Sequence, residues 1–427
     1  MKQRVVIIGN GIAGITAART IRKLSNAQVT VVSSETEYFF SRTALMYWYM
    51  GHMKWEHLEP YEKDFWRKNE IDLKLAHVQK VVSESKTLIL TNGEIITYDQ
   101  LVLATGSNFR KPLWWQQNLE GVSGLYSKQD VEYIAGYTKG LKYRRPKIKH
   151  AVVTGGGLIG IELAEMLHAE QIEVTMVIKE PSYWRSQLPE RESNFISEHI
   201  KSKGIDLIVN NTVDQIISKS NRIESVLLSN GQEISTEFLG VTIGVEPRVD
   251  LDFDVYPEIN RGYKVDGFMR TTIPNVFAIG DCVSLRNPQI GRLSNEPVWY
   301  TAKMMGEVAG KNICGISEEY LPGIWFNSAK FFDLEYQVYG SIGKDVHSSL
   351  YGGLKSQSVR AEFNENDQLM GILGLGFRLR HEVANEWISN KISQSYFLNH
   401  FKEINFEPEF QIRLEKMNWN VLQSSTA

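Results

Sequence analysis

The chain carries one short pattern twice: Gly9-Asn10-Gly11-Ile12-Ala13-Gly14 and Gly155-Gly156-Gly157-Leu158-Ile159-Gly160. Each copy follows an apolar run rich in β-branched residues, Val5-Val6-Ile7-Ile8 and Ala151-Val152-Val153-Thr154, and each opens a stretch with helical patterning. A strand that turns through glycines into a helix makes a phosphate cradle. The first glycine permits the tight reversal, the second lets backbone N–H groups approach a pyrophosphate, and the third lets the helix pack on the strand. One such match arises by chance in loops. Two, each in strand–turn–helix context, imply two bound dinucleotides and electron transfer between them.

A third segment names the partner of the first turn. Thr271-Thr272-Ile273-Pro274-Asn275-Val276-Phe277-Ala278-Ile279-Gly280-Asp281 reads as a turn, a short buried strand and then Gly-Asp. A carboxylate at a strand end, beside a glycine that admits a ligand, suits a polyol such as the ribityl chain of a flavin. On these residues the chain resembles the pyridine nucleotide-disulphide oxidoreductase superfamily, whose flavin domain carries this Gly-Asp element. Ala104-Thr105-Gly106 resembles the family motif where the chain leaves the flavin domain, and Gly244-Val245-Glu246-Pro247 resembles the return. The resemblance implies an α/β fold with two Rossmann-like dinucleotide-binding domains, one for FAD and one for NAD(P)H, the second inserted in the first, plus a C-terminal α+β domain. The expected division is 1–113 and 244–320 for FAD, 114–243 for NAD(P)H, and 321–427 for a C-terminal interface domain.

Composition excludes other classes. A chain of 427 residues folds as two to three domains. Its net charge is −3 with basic residues dispersed, so no nucleic-acid surface is expected. The basic run Arg144-Arg145-Pro146-Lys147 reads as a solvated connector, and the polar tail Gln423–Ala427 as frayed. Lys2 and Arg4 before Val5-Val6-Ile7-Ile8 imitate a signal peptide, but the apolar run stops at the glycine turn. No run approaches the roughly 18 apolar residues of a membrane span. The expected location is cytoplasmic, without a transmembrane segment.

The chain has two cysteines, Cys282 and Cys314, in neither a redox nor a metal-ligand spacing, so no metal site is expected. Many superfamily members carry a redox cysteine soon after the first fingerprint unit. Here that region reads Phe40-Ser41-Arg42-Thr43-Ala44-Leu45-Met46-Tyr47, with no thiol. Disulfide-reductase and peroxidase chemistry through that route is therefore not expected. The closer resemblance is to single-flavin reductases without that cysteine: rubredoxin and ferredoxin reductases, the flavin portion of NADH-nitrite reductases, and the apoptosis-inducing-factor group, the last through Leu188-Pro189-Glu190-Arg191-Glu192-Ser193-Asn194-Phe195.

The resemblance also assigns site residues. The flavin set is Gly9, Gly11, Ile12, Ala13, Gly14, Glu35, Arg42, Val81, Ala104, Thr105, Gly106, Gly244, Gly280, Asp281 and Trp299. Within it, Glu35 follows the second strand and is the candidate for the adenosine ribose hydroxyls. Arg42 offers a bidentate fork to the FAD pyrophosphate; a solvated loop arginine is the plain alternative. Val81 lies in the alternating stretch Val78–Tyr98, which turns at Asn92-Gly93 as hairpins do. Trp299 and Ala302 resemble the Trp-x-x-Ala start of the helix that closes over the flavin, where a core tryptophan is the simpler reading.

The nucleotide set is Gly155, Gly157, Leu158, Ile159, Gly160 and Lys179. Glu162 stands where the family acid approaches the nicotinamide and pairs with a lysine. That lysine position holds Tyr47, so the ion pair is expected to be absent, with Glu162 unpaired near the cofactor or another group such as Lys54 substituting; Tyr47, Glu162 and Trp299 form the candidate catalytic group. A helix-start acid favoured by the dipole is the alternative for Glu162. At the end of the strand Val174–Val177 no acid stands at Ile178. Lys179 and Arg185 suit a 2′-phosphate and Glu180 suits a ribose, so NADH and NADPH both stay open as donor. Cys282 reads as a small buried filler. His381 reads as a surface histidine or a proton donor to a quinone, and Tyr47-Trp48-Tyr49 with Trp55, Tyr61 and Trp66 as core or an acceptor wall.

The expected function is an FAD-dependent NAD(P)H oxidoreductase passing electrons to a separate acceptor: a ferredoxin- or rubredoxin-like protein, a quinone or oxygen. The other reading is an NAD(P)H-responsive flavoprotein sensor with slow turnover. A homodimer stays open under both.

Overall fold

The computed structural model describes residues 2–115, 118–139, 147–289, 291–343, 346–354, 357–406 and 418–423; the basic residues 144–146 and the tail 424–427 lie outside these described residues. The chain divides into two compact units. The first holds Met1–Pro112, Ser123–Lys147 and Gly244–Pro322; the second holds Leu113–Val122, Ile148–Ile243 and Gly323–Ala427.

In the first unit five parallel strands run in the order Val276–Ala278, Gln100–Leu103, Arg4–Ile8, Gln28–Ser33 and Ile71–Leu75. Val5, Val6, Ile7, Val29, Val31 and Val32 are all buried. Continuous apolar strands of this kind belong in a parallel sheet covered on both faces. The register sets Ile8 beside Val32 and Leu103, so three strands end together and the turn at Gly9 opens at their carboxyl edge. Helix Ile12–Leu24 packs against helix Trp299–Ile313 at close range: a Cβ on Gly306 would lie 2.4 Å from the Ala13 carbonyl oxygen. The hairpin at Asn92-Gly93 joins Thr87–Leu90 to Ile95–Thr97.

The second unit repeats the plan with parallel strands in the order Asp206–Ile208, Glu173–Val177, His150–Thr154 and Phe238–Val241. Helix Leu158–Ala169 follows the glycine turn, and helix Glu190–Ser202 precedes the edge strand. The same unit includes a six-stranded antiparallel sheet, ordered Phe326–Phe331, Leu334–Gly340, Leu369–Leu375, Gln357–Phe363, Ser348–Leu354 and Asn418–Gln423. Helices His381–Ser389 and Gln394–His400 cover it through Trp387, Phe397 and their neighbours.

Two features depart from the expected division. Ser123–Lys147 groups with the flavin-type unit rather than with the second fingerprint. Helix Lys128–Thr138 explains this: the Lys128 N–H donates to Glu35 (2.9 Å), and the Thr138 and Tyr49 hydroxyls bond at 2.7 Å. The C-terminal sheet groups with the second fingerprint instead of standing alone. Arg360 joins it to helix Glu190–Ser202 through Glu192, Nε to Oε2 at 2.9 Å.

Candidate functional site: two glycine turns and their surroundings

At each turn the three glycines meet three different spatial demands. Gly9 and Gly155 have φ of +111° and +118°, backbone that disfavours any side chain. A Cβ there would also lie 2.1 Å from the Ala104 carbonyl oxygen and 2.3 Å from that of Thr242, so each turn is pressed against the end of the neighbouring strand. Gly14 and Gly160 face their own turns, where a Cβ would come within 2.1 Å of the Gly9 oxygen and 2.4 Å of the Gly155 oxygen. Gly11 and Gly157 differ: no atom lies within 4 Å of a Cβ built on either. Both are helix N-caps in extended backbone, and no side chain caps the helices that begin at Ile12-Ala13 and Leu158-Ile159. An uncapped helix start facing open space binds anions, and a pyrophosphate suits this donor set at both turns.

Around the first turn the site is finished by charge. Arg42 donates to both carboxylate oxygens of Glu35, at 3.0 and 2.6 Å, and to the Tyr126 carbonyl at 2.6 Å. Its guanidinium lies over the rings of Phe40 and Tyr126, 5.1 and 4.6 Å from their centroids. The two residues expected on ribose and pyrophosphate are thus one bidentate pair. Asp281 follows Gly280, whose φ is +77°. Removal from water pushes the Asp281 carboxyl up to about 6, although the charge of Arg42 pulls it down. Among the described residues its side chain accepts one hydrogen bond, a long one from Ser107 Oγ at 3.4 Å. A desolvated carboxyl so sparsely bonded suits the hydroxyls of a polyol.

The segments that leave and re-enter this unit are stitched together. Thr105 Oγ1 donates to the Arg248 carbonyl at 2.6 Å, Arg248 N–H to Gly106 at 2.9 Å, and Arg110 N–H to Gly244 at 2.9 Å. Val81 is fully buried in strand Val78–Val82, and its carbonyl accepts the Asp254 N–H at 3.2 Å. Trp299 begins helix Trp299–Ile313 and is 37% exposed, so it is not a plain core tryptophan. Tyr47 is half-buried on helix Leu45–Tyr49, its ring 6.3 Å from that of His52. Cys282 is fully buried, its thiol donating toward the Ile279 carbonyl at 3.2 Å, and burial raises its pKa: it is an inert filler.

Around the second turn the arrangement is less charged. Ile178, at the end of the strand, is buried and packs beside Gly156. Lys179 is exposed, while the Glu180 carboxylate accepts the Ser186 N–H and hydroxyl, both at 2.8 Å. Desolvation, with the nearby charge of Glu165, pushes Glu162 up to about 7. Glu165 itself pairs with Lys330 at 3.3 Å, and among the described residues of this unit no Lys or Arg pairs with Glu162. His381 lies within the C-terminal sheet unit, stacked edge-on against Phe326 at 4.8 Å and bonded to Asn385 at 2.8 Å.

The sequence reading missed Tyr126 and Lys128 beside Glu35, and Tyr183, whose hydroxyl donates to the Gly157 carbonyl at 2.6 Å. One signal for the first two was available. Ser127-x-x-Asp130 is a capping box, with Asp130 N–H to Ser127 Oγ at 3.1 Å and Ser127 N–H to Asp130 Oδ2 at 2.7 Å, and it starts a helix just where Lys128 turns its N–H to Glu35.

Among the described residues no group of three or more His, Cys, Asp or Glu is placed to hold a metal ion, and no helix is long and apolar enough to cross a membrane. The NADH oxidase of Methanocaldococcus jannaschii is 27% identical to this chain over 394 residues, 86% of each protein. The NAD(P)H coenzyme A polysulfide/persulfide reductase of Pyrococcus horikoshii is 30% identical over 370 residues, covering 85% of this chain and 80% of that protein. The solved structure of an NAD-dependent persulfide reductase from A. fulgidus superimposes with a TM-score of 0.83 at 24% identity, over 93% of this chain and 79% of that one. The family model for pyridine nucleotide-disulphide oxidoreductases matches residues 3–306, from the first strand through both glycine turns and the Gly280-Asp281 end into the helix behind it. The chain belongs to the pyridine nucleotide-disulphide oxidoreductases, enzymes of FAD and NAD(P)H.

Proposed function

We propose that the protein takes hydride from NADH or NADPH onto FAD and hands the electrons to a separate acceptor, a ferredoxin- or rubredoxin-like protein, a quinone or oxygen, without a sulfur relay of its own. One observation carries this reading: the two thiols form no redox pair, and neither lies in the segment where the family relay stands. Cys282 is buried and bonded to backbone, Cys314 ends the helix Trp299–Ile313, and the segment Phe40–Tyr47 has no cysteine.

Bound FAD supplies the two-electron chemistry and can release electrons singly or in pairs. The residues position and tune it. Arg42 and Glu35, held by Tyr126 and Lys128, receive the adenosine and pyrophosphate end, and Asp281 receives the polyol. The turn Gly155–Gly160 holds the pyrophosphate of the nicotinamide nucleotide on the start of helix Leu158–Ala169. Glu162 carries a proton over part of the neutral range, since its carboxyl stands near 7. Such proximity and alignment are what a hydride transfer needs from the protein.

A second reading rests on Tyr47 and Glu162. With tyrosine where the family resemblance places a lysine, reduction slows and the protein acts as a nucleotide-responsive sensor. Anaerobic stopped-flow mixing with NADH and NADPH, following flavin absorbance, separates the two. Bleaching within seconds by one nucleotide supports the reductase and names its donor. Reduction over many minutes, with a persistent charge-transfer band and a changed oligomeric state, supports the sensor.

A further inference from the structure

Tyr183 lies between strand Glu173–Val177 and helix Glu190–Ser202 and is fully buried. The helix holds its backbone from both sides. Its N–H donates to Ser197 Oγ at 2.8 Å, and its carbonyl accepts Ser193 Oγ–H at 2.7 Å. Both serines are buried, and Ser193 belongs to the Leu188–Phe195 run singled out in the sequence. Held in this way, the side chain reaches the second glycine turn. Its hydroxyl donates to the Gly157 carbonyl at 2.6 Å. The same carbonyl accepts the Gly160 and Ile161 N–H groups at 3.1 and 3.3 Å, so the phenol makes the shortest of these three bonds to it. A planar trans peptide points its C=O and N–H in opposite directions. Fixing the Gly157 carbonyl inward therefore aims the Leu158 N–H out of the helix end, where an anion binds.

The next residue shows what holds Tyr183 there. Trp184 has φ of +61°, left-handed backbone that a bulky residue keeps only where its surroundings over-determine it. Its ring meets Phe331 and Tyr336 edge-on, at 5.8 and 5.2 Å between centroids, and Phe331 also meets Tyr183 at 5.9 Å. Phe331 and Tyr336 belong to adjacent strands of the C-terminal sheet.

We propose that Tyr183 is a positioning residue for the nicotinamide nucleotide, setting the Gly157–Leu158 peptide, and that the C-terminal sheet braces it through Trp184. This gives the sheet a part in nucleotide binding. The proposal rests on Gly155–Gly160 being the pyridine-nucleotide turn, and the test separates the two.

Calorimetric titration of the FAD-loaded protein with ADP-ribose, which carries the pyrophosphate without the nicotinamide, is the measurement. Tyr183→Phe keeps the ring and removes the hydroxyl. Trp184→Gly keeps the left-handed backbone and removes the wedge. Each binds ADP-ribose about 3- to 10-fold more weakly, the range of one lost hydrogen bond. The KM for the nucleotide rises by a similar factor, while kcat and the flavin absorbance per protein hold. Gly157→Ala meets no protein atom within 4 Å of its new Cβ, so it obstructs only a ligand. If Gly157→Ala binds ADP-ribose as the unaltered protein does, the turn assignment falls. If Gly157→Ala weakens binding and Tyr183→Phe does not, the positioning role falls. If Tyr183→Phe loses FAD retention and thermal stability in proportion to ADP-ribose affinity, tyrosine is only a folding residue and the proposal is overturned.

Discussion

At the first glycine turn, the strand Gln28–Ser33 leads to Glu35, which is locked to Arg42, with Asp281 close enough to feel the arginine's charge. At the second turn the corresponding strand leads to Ile178, which is buried, and the turn's carbonyl is held by a phenol, Tyr183. Two residues past the last glycine the first helix carries buried Thr16 and the second carries Glu162. Yet the glycines themselves do the same work in both places, down to the strand carbonyl that forbids a Cβ on Gly9 and Gly155. The comparison separates two layers of design. Under the proposed function, phosphate binding is a backbone property that the two turns share, and the side chains around each, ionic at one and aromatic at the other, set which dinucleotide it takes.

The largest test exchanges the same atom at both turns. Gly11→Val gives protein purified without FAD, whereas Gly157→Val keeps FAD and binds ADP-ribose at least about 100-fold more weakly, the loss of two charge-assisted hydrogen bonds. The ratio of flavin to protein absorbance, with calorimetry, reads both. Normal flavin content in Gly11→Val breaks the assignment of the first turn.

A smaller effect tests the difference at Glu162. Its carboxyl is raised from the ordinary 4.5 to about 7, so the stability it confers is full below about 4.5 and lost as pH rises through about 7. Glu162→Gln removes that dependence. Relative to the unaltered protein, it gains roughly 1–3 kcal/mol between pH 5 and pH 8, read as the difference in urea midpoints. Thr16, at the equivalent place in the first helix, does not titrate, so Thr16→Val shifts stability equally at both pH values. A Glu162→Gln variant with the same pH profile as its parent shows that this carboxyl is solvated in solution.

Local patterns were legible in the sequence. The glycine turns, the β-branched strands before them and the Gly280-Asp281 end each consist of neighbours in the chain, and their spacing carries their geometry. The same is true of the hairpin at Asn92-Gly93. What escaped depends on residues far apart in sequence. Arg42 reads in the sequence as a candidate for the pyrophosphate, but its bond to Glu35 and its seat on Tyr126 need the helix Lys128–Thr138 folded beside them. Tyr183 reads as one aromatic among many until the chain brings it to Gly157, 26 residues away. Trp299 reads as core or site in the sequence, and its 37% exposure at the start of a helix depends on what the fold packs around it.

Under the proposed function, electrons pass from nucleotide to flavin and out with no cysteine store between. Anaerobic titration of the FAD-loaded protein with the preferred nucleotide tests it most directly, with flavin absorbance followed to its end point. A flavin alone takes up two electrons, so bleaching completes at about one equivalent of NAD(P)H per FAD. A requirement for about two equivalents would reveal a second two-electron store in the chain and contradict the account; so would a bound flavin that never bleaches.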